Sequence, residues 1–378
     1  MNLSLPGVGV FGTGLTAKAT ISLLRSCGFS IEAIWGRTEE DAKSLALQLK
    51  IPFYTCHIDD LLLNQRVELV CICSPPCLQS QIAVKTLGIG KNVLCEKPAG
   101  LGMADTKRML NAAHYYPSLM SVMTYNLRFL PTFQKMKQCV DEGYIGDVMM
   151  IEVRVHCGFS LNTHFDWYHD ERMGGGVLCT FGGHFIDLIY FICGQKATSV
   201  HGFLTTFQKN TDQVCGFREI TSDDFCTFQM KLDGGACCTC VINNNVPGPF
   251  SYEVFAIGSL ACLHAKDGVL YGKKKGVSDC LETPEILEQD EKEINADLET
   301  IHSSGIYVKL PVPFMQGLQK FIESLKFSFL EEDDCRRWNK VALKSAATFE
   351  DALYAQTVLD SIRKSSRTSD WEQVVLPD

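Results

Sequence analysis

Hydrophobic positions in the first hundred residues gather into short unbroken runs, separated by stretches with helical spacing. Gly7 to Phe11, Ser30 to Trp35, Val67 to Cys73 and Asn92 to Glu96 are β-type runs. Between them, Ala17 to Ser26, Glu39 to Lys50 and Gln79 to Leu87 read as helices. Strands alternating with helices at this spacing predict a parallel, doubly wound sheet, an α/β fold. The pattern then changes. Val148 to His156, Ser199 to Phe207, Phe225 to Leu232, Ala236 to Asn243 and Tyr252 to Ile257 are β-rich, several of them followed by Gly or Asn turns, and predict a second, sheet-based region. Near the end, Ser345 to Lys364 spaces Ala346, Phe349, Leu353, Val358 and Ile362 to cover one helical face.

Length agrees with two domains: 378 residues at roughly 100 to 200 per domain. The division expected is a dinucleotide-binding domain over 1–123 and a sheet domain over 124–378. With 46% hydrophobic and 21% charged residues, the chain is not of the disordered class. Lys plus Arg number 35 against 44 Asp plus Glu, a formal charge of -9, and the longest basic run is Lys273 to Lys275. That balance argues against nucleic acid or an anionic membrane as the main partner. No apolar stretch reaches the ~18 residues that would span a bilayer. Residues 3 to 19 imitate a signal peptide ending in Ala17-Lys18-Ala19, but Lys and Arg are missing ahead of the apolar run.

The eighteen cysteines are read by placement. Cys71, Cys73, Cys237, Cys238 and Cys240 lie in apolar, strand-like runs, where a thiol acts as a small buried hydrophobe. Cys237 and Cys240 are three apart, so on a strand they face opposite sides and cannot share a metal. No metal is expected. So many thiols point to a reducing, cytoplasmic setting, with disulfides left open.

Candidate chemistry starts at Gly12-Thr13-Gly14-Leu15-Thr16-Ala17, a G-x-G-x-x-A motif between a strand and a helix. The first glycine allows a tight turn and the second lets the backbone approach a pyrophosphate. The small third residue admits close helix packing. Gly12, Gly14, Leu15 and Thr16 are therefore candidate cofactor contacts, with N–H groups of the helix start holding the anion. Cleaving a signal-like segment at Ala19 would remove this loop. NAD-binding units usually place an acid at the end of the second strand for the ribose 2′-OH. Here that stretch is Trp35-Gly36-Arg37-Thr38, with no acid before Glu39. Arg37 and Thr38 suit a 2′-phosphate, so NADP(H) is the expected cofactor; the alternative is that Arg37 is an exposed helix-start residue. The third strand ends at Ser74-Pro75-Pro76, making Ser74 a further candidate contact.

Leu94-Cys95-Glu96-Lys97-Pro98 closes the fourth strand and resembles the E-K-P motif of the glucose-fructose oxidoreductase / inositol dehydrogenase / MocA family. Gly90-Lys91-Asn92-Val93, Tyr125-Asn126-Leu127-Arg128-Phe129 and Gly143-Tyr144-Ile145-Gly146 agree with it. Ile34 to Thr38, Thr221-Ser222-Asp223-Asp224-Phe225 and Gly174-Gly175-Gly176 resemble the animal glucose-fructose oxidoreductase domain-containing group within that family. The resemblance implies a mostly antiparallel, open-sheet second domain used for homo-oligomer contacts, expected as a dimer. It also implies a last helix returning to the nucleotide domain.

For the site, the resemblance places Glu96 and Lys97 beside the cofactor, with Lys97 holding the substrate oxygen as it gains negative charge. The alternative is that Lys97 neutralises Glu96 or the cofactor. His184 matches the histidine that exchanges the hydroxyl proton. The family's aspartate, four residues earlier, is Thr180 here, and a hydroxyl offers no charge to orient or raise the pKa of His184. Asp187 shares a helical face with His184 and either orients the ring or serves as a surface or packing acid. Tyr168 stands where an arginine often follows the family's tryptophan, here Trp167, and Gln79 stands where a histidine is common. These departures fall in the substrate half of the site.

Asp279 to Glu299 carries nine acids against Lys292 alone. This acidic insert, near 275–305, reads as a solvated or mobile loop and not a core element. Glu331 to Asp334 reads as an exposed turn. Three functions follow. The first is NADP(H)-dependent hydride transfer to or from a sugar, polyol or related carbonyl or hydroxyl compound, with catalysis weakened at Thr180. The second is a catalytically lapsed, cofactor-holding scaffold or redox sensor. The third, attached to relatives by description, is a secreted, matrix-associated interaction protein.

Overall fold

The computed structural model describes residues 5–158, 166–209, 219–276, 284–290, 310–330 and 337–377. Most of the acidic insert and all of Glu331 to Asp334 lie outside the described residues. Described residues up to Phe129 and from Leu310 to Leu353 pack as one compact unit, and those from Leu130 to Asp290 and from Tyr354 to Pro377 as another. Each unit has its own sheet.

In the first unit, strands β1 (Val8–Phe11), β2 (Ile31–Trp35), β3 (Phe53–Thr55), β4 (Leu69–Ile72), β5 (Asn92–Cys95) and β6 (Ser121–Met123) run parallel. A seventh strand, Ala347–Thr348, adds antiparallel to β6. The order is Ala347–Thr348, then β6, β5, β4, β1, β2, β3. Every residue of β1, β4 and β5 is buried, as expected where helices cover both faces of a parallel sheet. The chain leaves β1 towards β2 on one side and later fills β4 on the other, so the order reverses between β1 and β4. Ligands of doubly wound sheets bind at the carboxyl ends of the strands at such a reversal.

The apolar spacing of helix Val312–Leu330 brings Met315, Leu318, Phe321, Ile322, Leu325 and Phe329 into the first unit's core. Phe129 and Phe321 meet edge to face at 4.9 Å. A single division after residue 123 does not anticipate this return, because the pattern of one helix does not say which core it joins.

The second sheet contains β7 (Val148–His156), β8 (Ala197–Thr205), β9 (Phe225–Leu232), β10 (Cys237–Asn243), β11 (Ser251–Gly258), β12 (Ala261–Lys266), β13 (Val269–Lys274) and β14 (Glu285–Gln289). Glu372–Gln373 pairs with β8 as a ninth strand. The order is β14, β13, β12, β11, β7, β10, β9, β8, Glu372–Gln373. All neighbours are antiparallel except β7 and β10. Burial alternates along β7, β9 and β11, the signature of a sheet with one covered face. Cys237 is exposed while Cys238 and Cys240 are buried, and no metal-binding cluster occurs among the described residues. No disulfide joins the described cysteines.

Three sequence expectations need correction. The acidic insert is not wholly a solvated loop: Glu285–Gln289 pairs with β13, and Asp290 is buried. The Asp290 carboxylate accepts the N–H of Thr132 at 2.8 Å, at the start of helix Pro131–Asp141, where an anion complements the helix dipole. The final helix begins later than the apolar spacing suggests and runs Phe349–Thr368, because Ala347–Thr348 pairs with β6 and Asp351 bonds back to Thr348 N at 2.8 Å. Its residues from Tyr354 onward belong to the second unit. Finally, Glu171–Cys193 does reach membrane-spanning length and apolarity, with a mean hydropathy of 1.6. Its apolar side chains serve the protein interior, since 83% of that window is buried.

Candidate functional site

At the end of β1 the chain turns on Gly12, whose φ of 126° suits glycine. A Cβ there would lie 2.6 Å from the carbonyl oxygen of Cys73. The Gly12 N–H donates to Trp35 O at 3.0 Å, so the loop is tied to β2 on one side and crowds the end of β4 on the other. Gly14 differs. Its backbone is ordinary extended chain, with φ −75° and ψ −176°, and a Cβ would meet nothing within 4 Å. Packing does not require glycine there, and the backbone is left open to the surroundings.

Gly14 is the N-cap of helix α1 (Leu15–Ser26), with no side-chain cap and no acid in the first turn. The first-turn N–H groups and the positive end of the helix dipole therefore carry no anionic side chain of their own. Ala17 is fully buried, Thr16 half-buried and Leu15 exposed. The small third motif residue thus packs against the sheet as the motif predicts.

Helix α2 (Glu39–Leu49) follows β2. Arg37 is exposed and makes no hydrogen bond or ion pair among the described residues. Thr38 has a structural duty that its spacing did not reveal. Its hydroxyl accepts the Asp41 N–H at 3.1 Å and donates to Asp41 Oδ2 at 2.8 Å, capping α2. Glu39, Glu40 and Asp41 fill the first turn.

Past β4, Ser74 is buried and its Oγ has no hydrogen-bond partner among the described residues. An unmet buried hydroxyl costs about 1–3 kcal/mol, a cost that a polar ligand group would remove. Gln79, also buried, donates from Nε2 to Ser74 O at 3.2 Å and accepts the Gly100 N–H on Oε1 at 3.0 Å. It braces the loop after β4 against the loop after β5. An amide can donate to one and accept from the other at once; the family's histidine at this position could do so only in the right tautomer.

Glu96 is buried beside the Cys71 and Cys95 thiols. Burial pushes its carboxyl up, opposed first by the Lys97 charge and then by the Thr124 hydroxyl. Lys97 is half-buried, so part of its charge serves Glu96. The first unit therefore brings Gly12, Gly14, Arg37, Ser74, Glu96 and Lys97 to the carboxyl ends of its parallel strands.

In the second unit, Leu178–Gly182 forms a π-helical turn that leads into helix Gly183–Cys193. Thr180 sits in the turn, and His184 in the first α-helical turn is buried. The π turn is not predictable from the apolar pattern. Such turns are rare and recur at functional sites. Asp187 is 1% exposed, so it is a buried acid and not a surface one. Tyr168 is half-buried with its hydroxyl turned inward, and burial raises the hydroxyl pKa well above the ordinary value. A neutral phenol thus replaces the guanidinium common in relatives.

One residue without an assigned role emerges here. Asp223, buried just ahead of β9, accepts the Leu178 N–H on Oδ2 at 2.8 Å, while its carbonyl accepts the Val177 N–H at 2.9 Å. The sequence signals were the pair Asp223-Asp224 immediately before a strand and its place in the Thr221 to Phe225 segment.

Residues 7–124 match a family profile described as an oxidoreductase family with an NAD-binding Rossmann fold. Residues 133–263 match the GFO/IDH/MocA C-terminal domain. Glucose-fructose oxidoreductase domain-containing protein 1 of Mus musculus is 48% identical over 372 residues, covering 98% of this chain and 93% of that protein. Protein 2 of Homo sapiens is 45% identical over 370 residues, covering 98% and 94%. Among solved structures, an oxidoreductase domain protein from Kribbella flavida superposes with a TM-score of 0.79 at 22% identity, covering 99% of this chain and 100% of that one. A levoglucosan dehydrogenase in complex with NADH and levoglucosan gives 0.79 at 16% identity, with the same coverage. The glycine loop, the E-K-P strand end and the histidine helix thus occur on the fold, and in the sequence neighbourhood, of one family: the chain belongs to the GFO/IDH/MocA oxidoreductases.

Proposed function

We propose that the chain binds NADP(H) and transfers hydride between it and a sugar, polyol or related carbonyl or hydroxyl compound. The observation that carries this reading is the anion-ready start of α1, uncapped and open at Gly14, in the same unit as the unmet Ser74 hydroxyl. When bound, the cofactor supplies the hydride acceptor or donor. Gly14 and the first-turn N–H groups hold the pyrophosphate, and Ser74 hydrogen-bonds a polar group of the cofactor. Lys97 stabilises the substrate oxygen, and His184 gives or takes the hydroxyl proton. A small polar substrate is in keeping with the neighbour named levoglucosan dehydrogenase. The reading also places the protein in the cytoplasm as a homodimer.

Preference for the 2′-phosphate rests on Arg37, exposed and without a partner among the described residues. Thr38 adds little, because its hydroxyl caps α2. The three acids in that first turn work against a phosphate, so Arg37 must outweigh them. Titration with all four dinucleotides is expected to show NADPH binding about tenfold more tightly than NADH, the value of one charge-assisted contact. Arg37→Ala should remove that difference. Equal or tighter binding of NADH by the unaltered protein would sink the NADP(H) assignment.

A second reading, a cofactor-holding scaffold or redox sensor, is favoured by Thr180 alone. Restoring the carboxylate separates the two. Thr180→Asp is expected to raise the turnover rate about tenfold or more with a panel of sugars and polyols, the low end of general acid–base contributions. An unchanged rate with intact cofactor binding would support the scaffold.

A further inference from the structure

We propose that Asp223 is the positioning residue of this site: its carboxylate clamps the start of the π-helical turn, so the placement of Thr180 and His184 depends on that one charged group. The proposal deepens the reading of His184 as the proton-exchanging residue and rests on it.

A π turn inserts an extra residue into the α-helical hydrogen-bond ladder and is unstable without support. Here the support comes from three directions. The Asp223 carboxylate accepts the N–H of Leu178, the first residue of the turn, at 2.8 Å, and its own carbonyl accepts the Val177 N–H at 2.9 Å. Gly176, at φ 99°, lets the chain press against that carboxylate, and a Cβ at this position would run into it. From the final helix, Arg363 touches the Cys179 sulfur, the second residue of the turn, and bonds Asp360 at 3.3 Å. The clamp therefore acts on the two residues immediately before Thr180. Asp223 acts on Thr180 and His184 through the backbone of Val177 and Leu178.

The charges around the clamp are mixed. Arg363 favours the carboxylate, while Glu171 opposes it. Tyr168 and Cys226 face it as neutral groups, their own ionisation suppressed by burial and by the Asp223 charge. Asp224 is turned away, its oxygens accepting the N–H groups of Phe207 and Gln208. Burial holds the Asp223 carboxyl up at about 6 despite the Leu178 N–H and Arg363. The clamp is thus an anion above that pH and neutral below it.

Amide hydrogen exchange on the full-length protein, with Asp223→Ala and Asp223→Asn, tests the proposal without requiring turnover. At pH 7, Asp223→Ala should exchange about tenfold faster or more over residues 177–184, with 187–193 and β9 unchanged; such a rise corresponds to losing one charge-assisted hydrogen bond. Asp223→Asn at pH 7 should match the unaltered protein at pH 5, after correction for intrinsic rates. Unchanged protection over 177–184 in Asp223→Ala, or a loss spread evenly through the second unit, would overturn the clamp. In the same variants, dinucleotide affinity should stay within about twofold. If instead no dinucleotide binds even the unaltered protein, the functional reading fails while the exchange result still decides the clamp.

Discussion

Gly14→Val should leave the fold intact and weaken dinucleotide affinity by about 100-fold or more, the equivalent of losing close backbone contact with a pyrophosphate. The expectation is unusual because an invasive side chain at a motif glycine normally disturbs packing. Here a Cβ would meet nothing within 4 Å, and the backbone at φ −75°, ψ −176° is open to any residue. Two further contributions to stability oppose each other. Replacing glycine removes unfolded-state entropy, worth about 0.4–1 kcal/mol. Losing a favoured N-cap residue costs a similar amount. The thermal midpoint should therefore hardly move while isothermal titration reports the loss of binding. Gly12→Val is the contrasting control, because φ 126° and the Cys73 carbonyl 2.6 Å away leave no room for a side chain. If Gly14→Val bound NADPH as well as the unaltered protein, the glycine loop would not be the cofactor site.

Asp223→Asn should stabilise the protein at neutral pH, by an amount that shrinks as the solution is acidified. The folded-state pKa of about 6 lies above the ordinary aspartate value of 3.8. A carboxyl raised on folding contributes stability that is full below its unfolded pKa and lost as pH rises through its folded pKa. Above pH 6, then, keeping Asp223 ionised costs about 3 kcal/mol, at about 1.4 kcal/mol for each pH unit between the two values. The neutral amide escapes that cost. The gain should be largest near pH 7.5, about half as large at pH 5, and about a fifth as large at pH 4. Denaturant titrations at those three values would measure it. A gain independent of pH would show that the carboxylate is not held against its own ionisation. Global stabilisation accompanied by faster local exchange in the π turn is the signature of a group retained for its site at the expense of the fold.

Much of the first unit was legible because its signals are local. The G-x-G-x-x-A loop needs a tight turn, an open backbone position and a small packing residue within six consecutive positions. Gly12, Gly14 and Ala17 fill those three needs. The fully buried runs of β1, β4 and β5 and the alternation along β7 and β9 are likewise properties of neighbouring residues. Arg37 stands out in the sequence by its spacing alone. Thr38 was found but given a different duty, because Thr-x-x-Asp is also a helix cap and the competition is settled only when Asp41 folds back onto it.

What escaped the sequence depends on pairings distant along the chain. Asp223 bonds Leu178 from 45 residues away, and Arg363 reaches Cys179 from 184 residues away. Neither pair has a spacing that a one-dimensional pattern could register. The buried amide of Gln79 looked like a departure from a family pattern until its partners, Ser74 and Gly100, came from two different strand ends. The strand within the acidic insert was hidden for the same reason, since β14 is stabilised by β13 and Asp290 by the start of a helix more than 150 residues earlier.

The sequence by itself determined that a strand, a glycine turn and a helix start would follow one another at the end of β1, and that a lysine would close the fourth strand. It could do so because backbone conformation and short-range periodicity are set by adjacent residues. Only the tertiary structure decided that the histidine helix begins in a π turn, that a buried carboxylate holds that turn, and that helix Val312–Leu330 joins the first core. Those outcomes depend on which distant groups are brought together away from water, where an unpaired charge or hydrogen bond is costly enough to select a single arrangement.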